Sequence, residues 1–463
     1  MLEVYCNSKA LEEKKYIFDV LLNEFLGISY NLIMDDNQEN ICLKTSTTIG
    51  SSIIVNSCFF NTLDDIWGNS KSLPQSPLPI FEVSKCDFQL DVKFESLPVL
   101  YGKPLINKHD NSIICEIDIF GSCFFMLSRY EELVNPERDG RGRFSAYSSI
   151  SYKENFLLRP IVNEYLELLW QILKLKLNYK RKEHIYQTVL TCDVDWPYNP
   201  MNRSVVIFLK QLAKDIVREK SFLKFLLHSR EFILTRLFGW QYDSHNTFKY
   251  MMDLAERNDI KMVFYFICDN TAGAIDGNYS VDDPKIENLM QTINARGHMI
   301  GLHGSYNSSE NFLQMSKEVD ILKNKLRKLN INQNKVINRQ HYLRFDASST
   351  LPQMDRNNID YDSSMGFADH AGFRSGTCYI YSAYDLIGRK KLKIKLSPLI
   401  AMEASVISSS YMSLGYTDKA LEIFLKLKRQ CQIYNGTFVL LWHNSFFFSQ
   451  KDRTLLERIL INN

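Results

Sequence analysis

Neither sign of charge dominates this chain. Its 55 lysines and arginines against 53 aspartates and glutamates leave a net charge of +2 over 463 residues. It therefore lacks the basic bias usual in nucleic-acid binders, and no nucleic-acid partner is expected. The ten cysteines, at positions 6, 42, 58, 86, 115, 123, 192, 268, 378 and 431, include no C-x-x-C pair. Such spacing fits neither a zinc ribbon nor a small disulfide scaffold and points to reduced, mostly buried thiols. No uncharged apolar run reaches the roughly 20 residues that span a bilayer. The first residues, MLEVYCNSKALEEKKYIFDV, lack the charged, apolar and small-residue layout of a signal peptide. A soluble, cytoplasmic protein is the expectation. Repeats and low-complexity tracts are missing as well.

What is present suits a globular protein. Hydrophobic residues make up 45% of the chain and aromatic ones 13%, enough for a sizeable core with rings beyond what core-filling needs. At about 100–200 residues per domain, the length favours two domains or more over one. Residues 1–183 read as a mixed α+β domain. The β-branched run 41–60 predicts strands, and ICEIDIFGSCFFMLSRYEEL (114–133) predicts a strand leading into a helix. Ile161, Tyr165, Leu168, Leu169, Ile172 and Leu173 form one stripe of an amphipathic helix within 159–177. The charged, aperiodic NYKRKEH (178–184) marks the boundary.

From 184 to 463 the texture changes. QTVLTCDVD, KMVFYFI, GHMIGLH, KVINRQHYLRF and FVLLWHNSFF are short apolar runs separated by helical stretches, the alternation of a parallel sheet or barrel. Functional groups in such folds gather at the C-terminal ends of strands, and the polar residues of these runs sit there. Asp193 and Asp195, at i and i+2, point to one side. His303, His341 and His443 each follow an apolar run. Taken singly, each is a turn residue or a structural histidine; jointly they describe a metal site with acid and base groups.

The ordered motifs TCDVDWP, IGLHGSYNSS, NRQHYLRF, YDSSMGFADHAGFRSGTC and LLWHN resemble those of the NodB-type polysaccharide deacetylases (carbohydrate esterase 4-like), in a bacterial branch with an extra N-terminal domain. The resemblance implies a distorted (β/α) barrel over 184–463 and a hydrolase that removes acetyl groups from sugars. It puts the general base on Asp193, metal ligands on Asp195 and His303, the base-orienting arginine on Arg339 or Arg344, and the catalytic histidine on His443. The family's second motif histidine falls on Asn307. The third ligand is therefore Asn307 or His341, and His341, at a strand end, is preferred. Asp362 is the first candidate for the acidic partner of His443, ahead of Asp369 and Asp385. The implied cofactor is a divalent metal, Zn2+ before Co2+ or Ni2+.

Trp196, Tyr306, Arg374 and Trp442 adjoin these motifs and are candidate substrate contacts, with core packing the plain alternative for the tryptophans. His298, at a strand entry, is read as structural, and Cys192, facing away from both aspartates, as buried. The segment 204–240 holds seven lysines and arginines against three acidic residues, among apolar residues at helical spacing. It is expected to pack as a helical insertion, with peripheral contact to an anionic membrane as the second reading. The leading function is deacetylation of a polysaccharide or its precursor in surface polysaccharide biosynthesis, on a carbohydrate that is free or lipid-linked. The alternatives are a non-catalytic carbohydrate-binding relative and a glycoside hydrolase using Asp193 and Asp195 as its carboxylate pair.

Overall fold

The computed structural model describes residues 1–45, 51–177 and 179–461. They form two compact units: Met1–Gln187 with Phe345–Ile400 and Lys426–Phe438, and Thr188–Arg344 with Ala401–Leu425 and Val439–Asn463.

In the first unit a six-stranded mixed sheet runs in the order Tyr30–Met34, Leu2–Cys6, Ile41–Thr45, Ser52–Val55, Ser112–Ile117, Gly102–Lys108. The strands expected in 41–60 are Ile41–Thr45 and Ser52–Val55; residues 46–50 of that run lie outside the described residues, as does residue 178 of the expected boundary. Period-two patterning sets the faces: Leu2, Val4 and Cys6 point inward from one strand and Ile113, Cys115 and Ile117 from another. The strand-to-helix transition expected in 114–133 is capped by Asp118, whose carboxylate accepts from Gly121 N at 2.7 Å. All ten residues of the following helix, Ile119–Ser128, are buried. The amphipathic helix is Ile161–Lys176.

Chain texture predicts a single domain after residue 183. The structure instead groups Phe345–Ile400 and Lys426–Phe438 with the first unit. The partners that hold the 345–400 segment lie far back in the chain. Tyr381 Oη donates to Leu127 O at 3.0 Å, Tyr16 Oη donates to Ser382 O at 2.9 Å, and Arg374 is paired with Glu132. Alternation is again local: in Lys390–Leu396, Leu392, Ile394 and Leu396 face inward between lysines.

The second unit carries the alternating strands and helices. Met262–Ile267 lies parallel to Gln187–Val194 on one side and to Met299–Gly304 on the other, and Met299–Gly304 lies parallel to Ile337–Gln340. Thr437–Leu441 neighbours Gln187–Val194 and pairs in parallel with Ala401–Met402. All six residues of Met262–Ile267 are buried, as in a parallel sheet covered on both faces. The helices between strands present one apolar stripe each: in Pro284–Ala295 the buried residues are Ile286, Leu289, Met290 and Ile293. The expected apolar–basic segment forms two helices, Val205–Val217 and Phe222–Phe238, whose only buried residue is Asp215. Of its apolar residues, Phe208, Leu212, Phe225, Phe232 and Leu234 are half-buried and most of the others are exposed, less burial than a packed insertion would show.

Candidate active site

Register brings the strand ends together. Asp193 lies beside Tyr265 on the neighbouring strand, Ile267 beside His303, and His303 beside Arg339. The C-terminal ends of three strands, Gln187–Val194, Met299–Gly304 and Ile337–Gln340, thus deliver Asp193 and Asp195, His303, Arg339 and His341 to one place, all within the second unit.

Asp195, His303 and His341 each offer one ligand atom, and the three atoms lie within 4.8 Å of one another. His303 Nε2 is 3.2 Å and His341 Nε2 3.7 Å from Asp195 Oδ1. Each imidazole is turned by its other nitrogen: His303 Nδ1 lies 2.8 Å from Arg339 O, and His341 Nδ1 lies 3.0 Å from Asp276 Oδ1. Both partners are acceptors, so Nδ1 carries a proton in each ring, and Nε2 is the nitrogen turned toward Asp195. Asp195 Oδ1 is buried and receives no hydrogen bond. A buried carboxylate oxygen left without a donor, facing two Nε2 atoms, fits a divalent cation.

Electrostatics agree with that fit. Burial would raise the Asp195 carboxyl, but the facing imidazoles of His341 and His303 hold it well below the usual carboxylate range. Burial would lower His341, but Asp195 and then Asp276 push it up to about 9. Asp276 is itself drawn down to about 2 against its burial, by the His341 hydrogen bond and the backbone N–H groups of Thr271 and Tyr306. The cluster therefore favours positive charge between its carboxylates.

The remaining groups form two oriented pairs. Arg339 Nη1 donates to Asp193 Oδ1 at 3.1 Å and to Thr191 Oγ1 at 2.7 Å, with its guanidinium 4.6 Å over the Tyr265 ring. Asp193 Oδ2 lies 3.7 Å from His303 Nε2. His443 Nε2 lies 3.6 Å from Asp195 Oδ2, while its Nδ1 makes a short hydrogen bond to Glu403 Oε1. The same Glu403 oxygen accepts from His443 N at 2.9 Å. Burial would lower the His443 imidazole, but Glu403 first, then Asp195 and Asp193, raise it to about 10.

Several expectations change. The acidic partner of His443 is Glu403. Asp362 caps its own turn by accepting from Ser364 N and Oγ at 2.8 Å, Asp369 is bound to Ser145 and Ala146, and Asp385 accepts from Gly388 N. Of the two arginines, Arg339 reaches the base, whereas Arg344 is held by Tyr306 O and by Glu310 at 2.6 Å. Asn307 is exposed, and its amide nitrogen is engaged as a donor to Thr271 O at 3.0 Å. Arg374 is 1% exposed and locked on Glu132 through two hydrogen bonds, so it has no free surface for a substrate. Trp442 is fully buried, with Nε1 donating to Phe446 O at 3.1 Å, and packs as core. Trp196 and Tyr306 are half-buried, with the Arg344 guanidinium 4.2 Å over the Tyr306 ring. His298 accepts from Met262 N through Nδ1 at 3.2 Å, a structural role as expected, and Cys192 is buried.

Glu403 and Asp276 were missed. Glu403 had a signal, an acidic residue directly after the apolar PLIAM (398–402), the same pattern that exposed the histidines. Asp276 sits in a loop, where no period marks it. Beside it, Gly277 adopts φ +77°, and a Cβ there would lie 2.2 Å from Asp195 O; only glycine lets this loop close on the Asp195 backbone.

Comparison with known proteins covers the two parts of the chain differently. Residues 2–178 match a family of unknown function (DUF7033). No curated protein matches the chain. Among solved structures, the chain is similar to a putative polysaccharide deacetylase from Mycobacterium smegmatis, with 13% identity and a TM-score of 0.39 over 60% of this chain and 84% of the other. An allantoinase is similar at 12% identity and a TM-score of 0.35, over 60% and 83%. A polysaccharide deacetylase from Bacillus cereus is similar at 14% identity and a TM-score of 0.25, over 60% and 86%. At these scores the functional reading rests on the site itself.

Proposed function

We propose that this protein is a metal-dependent hydrolase that removes an acetyl group from a sugar of a polysaccharide or its precursor, with the second unit as a distorted (β/α) barrel around the site. The observation that carries the proposal is the convergence of a two-imidazole, one-carboxylate cluster with a carboxylate–arginine pair and a histidine–carboxylate pair. Asp195, His303 and His341 would hold the ion. Two imidazoles and one carboxylate suit zinc, cobalt or nickel. When bound, the ion supplies Lewis-acid polarisation of the acyl carbonyl and of water.

The chain's own groups would do the proton work. Asp193, kept in place by Arg339, accepts the proton of the attacking water. His443, protonated and oriented by Glu403, donates to the departing amine or alkoxide. The amide or ester bond then breaks, with acetate and the free sugar group as products. Tyr306 and Trp196 are the remaining candidates for sugar contact. The histidines weigh against a two-carboxylate glycosidase: Asp193 and Asp195 both lie against His303, on one side of the site.

Elemental analysis of purified protein, with acetate release from acetylated sugar oligomers, tests the proposal. About one divalent ion per chain is expected, lost in Asp195→Ala and in His341→Ala. Asp193→Asn should keep the ion and lose acetate release. Absence of any ion after reconstitution with zinc, cobalt or nickel would overturn the proposal in favour of a carbohydrate-binding relative. Ion retained in His341→Ala would remove His341 from the ligand set.

A further inference from the structure

The helical pair Val205–Val217 and Phe222–Phe238 turns its apolar residues outward. Between Val205 and Phe238, thirteen large apolar side chains are exposed, Val217 at 76% and Leu237 at 70%. Their arrangement is ordered. At 100° per residue, Val205, Leu209 and Ile216 fall within about 40° of one another, and Phe222, Leu226, Ile233 and Leu237 within about 60°. Each helix therefore shows one continuous apolar stripe. Val206 and Val217, both exposed, widen the apolar face of the first helix to about 120°, and Lys210, Lys214 and Arg218, four residues apart, form a basic column that begins about 20° beyond its edge.

The opposite faces hold the hairpin together and to the rest of its unit. The Phe208 and Phe232 rings stack with centroids 3.9 Å apart. His228 Nδ1 lies 2.7 Å from Asp215 Oδ2. Glu231 accepts from Asn202 Nδ2 at 2.8 Å and from Ser244 N at 3.0 Å. Of the three acidic residues, Asp215 is thus turned inward, Glu231 is used as an anchor, and Glu219 is paired with Lys214 and Lys224. The outward surface is apolar and basic.

We propose that this hairpin seats the protein on an anionic phospholipid surface. An amphipathic pair with apolar stripes and basic flanks matches an interface that offers hydrocarbon below a layer of negative headgroups. A second copy of the chain complements it poorly, because a symmetric contact would set the basic columns of two hairpins against each other. No helix among the described residues is long and apolar enough to cross a membrane, so the contact is peripheral. The surface extends toward the candidate site: a cavity of about 490 Å³ lies between the hairpin, at Lys224 and Leu227, and the loop after His443, at Ser445, Phe447 and Phe448. Phe448 is 73% exposed. Seated this way, the loop following His443 meets the lipid surface, where a sugar carried on a lipid would be presented. That consequence rests on the proposed hydrolase activity; membrane binding itself does not.

Co-sedimentation of the full chain with vesicles reads binding without any activity assay. Mixed phosphatidylcholine–phosphatidylglycerol vesicles should bind at least about tenfold more tightly than pure phosphatidylcholine, a preference that added salt erodes. Lys210→Glu with Arg218→Glu should remove the preference. Leu226→Asn with Leu237→Asn should remove binding to both vesicles, and all four positions are exposed, so circular dichroism and metal content should stay as in the wild type. Equal, negligible binding of the wild type to both vesicles would overturn the proposal. So would a wild-type dimer in sedimentation velocity that the Leu226→Asn, Leu237→Asn variant converts to monomer without any vesicle binding, since the face would then serve self-association.

Discussion

Replacing Glu403 by glutamine isolates what sets the charge of His443. Glu403 Oε1 accepts from both the backbone N and the Nδ1 of His443, and it is the first of the groups that raise this imidazole from 6.5 to about 10 against its burial. Glutamine keeps an acceptor of the same reach and removes the charge. Asp195 and Asp193 remain, so the shift should be incomplete; a fall of at least about two pKa units is expected, or about 2.7 kcal/mol at 1.36 kcal/mol per unit. At pH 8 that moves the neutral fraction from roughly one in a hundred to roughly half. The assay is an NMR titration of the histidine Cε1 resonances in metal-free protein, with His443→Gln supplying the assignment. In the loaded enzyme, the alkaline limb of the acetate-release profile should move to lower pH, because a neutral His443 has no proton to donate. A His443 resonance that titrates in Glu403→Gln within half a unit of wild type would refute the assignment of Glu403 as its charge partner.

Three further outcomes are expected. Gly277→Ala, which places a Cβ 2.2 Å from Asp195 O at φ +77°, should displace Asp195 and weaken metal binding about tenfold or more in a chelator competition; unchanged affinity would remove Asp195 from the ligand set. Arg374→Ala strips Glu132 of two hydrogen bonds inside a fully buried ion cluster and should cost about 3–5 kcal/mol in urea unfolding, with metal affinity unchanged; a loss below about 1 kcal/mol would return Arg374 to the list of substrate contacts. Burial lifts Asp118 from 3.8 to about 6 against its hydrogen bonds from Phe59 N and Gly121 N. A raised folded pKa contributes stability that is present in full below pH 3.8 and is lost as pH rises through about 6, a change of about 3 kcal/mol. Asp118→Ser, which keeps a helix cap, should abolish that decline, and an unchanged pH slope would contradict it.

Local pattern determined much of this protein. Apolar runs of strand length ending in Asp193, His303, Arg339 and His443 were legible because a strand's period and its terminal polar residue are properties of a few neighbouring positions. The helix Ile161–Lys176 and the Asp118-capped turn were legible for the same reason. What only the tertiary structure decided is which distant groups complete each other. His443 pairs with Glu403 across 40 residues, His341 with Asp276 across 65, and Arg374 with Glu132 across 242. A carboxylate reads alike in sequence whether it caps its own turn, as Asp362 does, or orients a histidine, as Glu403 does. Both are fully buried; the difference arises from the parallel pairing that sets Met402 beside Leu441, and so Glu403 near His443, and no periodicity encodes that register. The membership of Phe345–Ile400 in the first unit has the same origin, since partners such as Tyr16, Leu127 and Glu132 lie more than 200 residues back and chain order carries no record of them. The exposed face of the 204–240 hairpin was likewise decided by packing. The sequence showed that the segment is amphipathic, and the fold left its apolar stripes without protein to cover them.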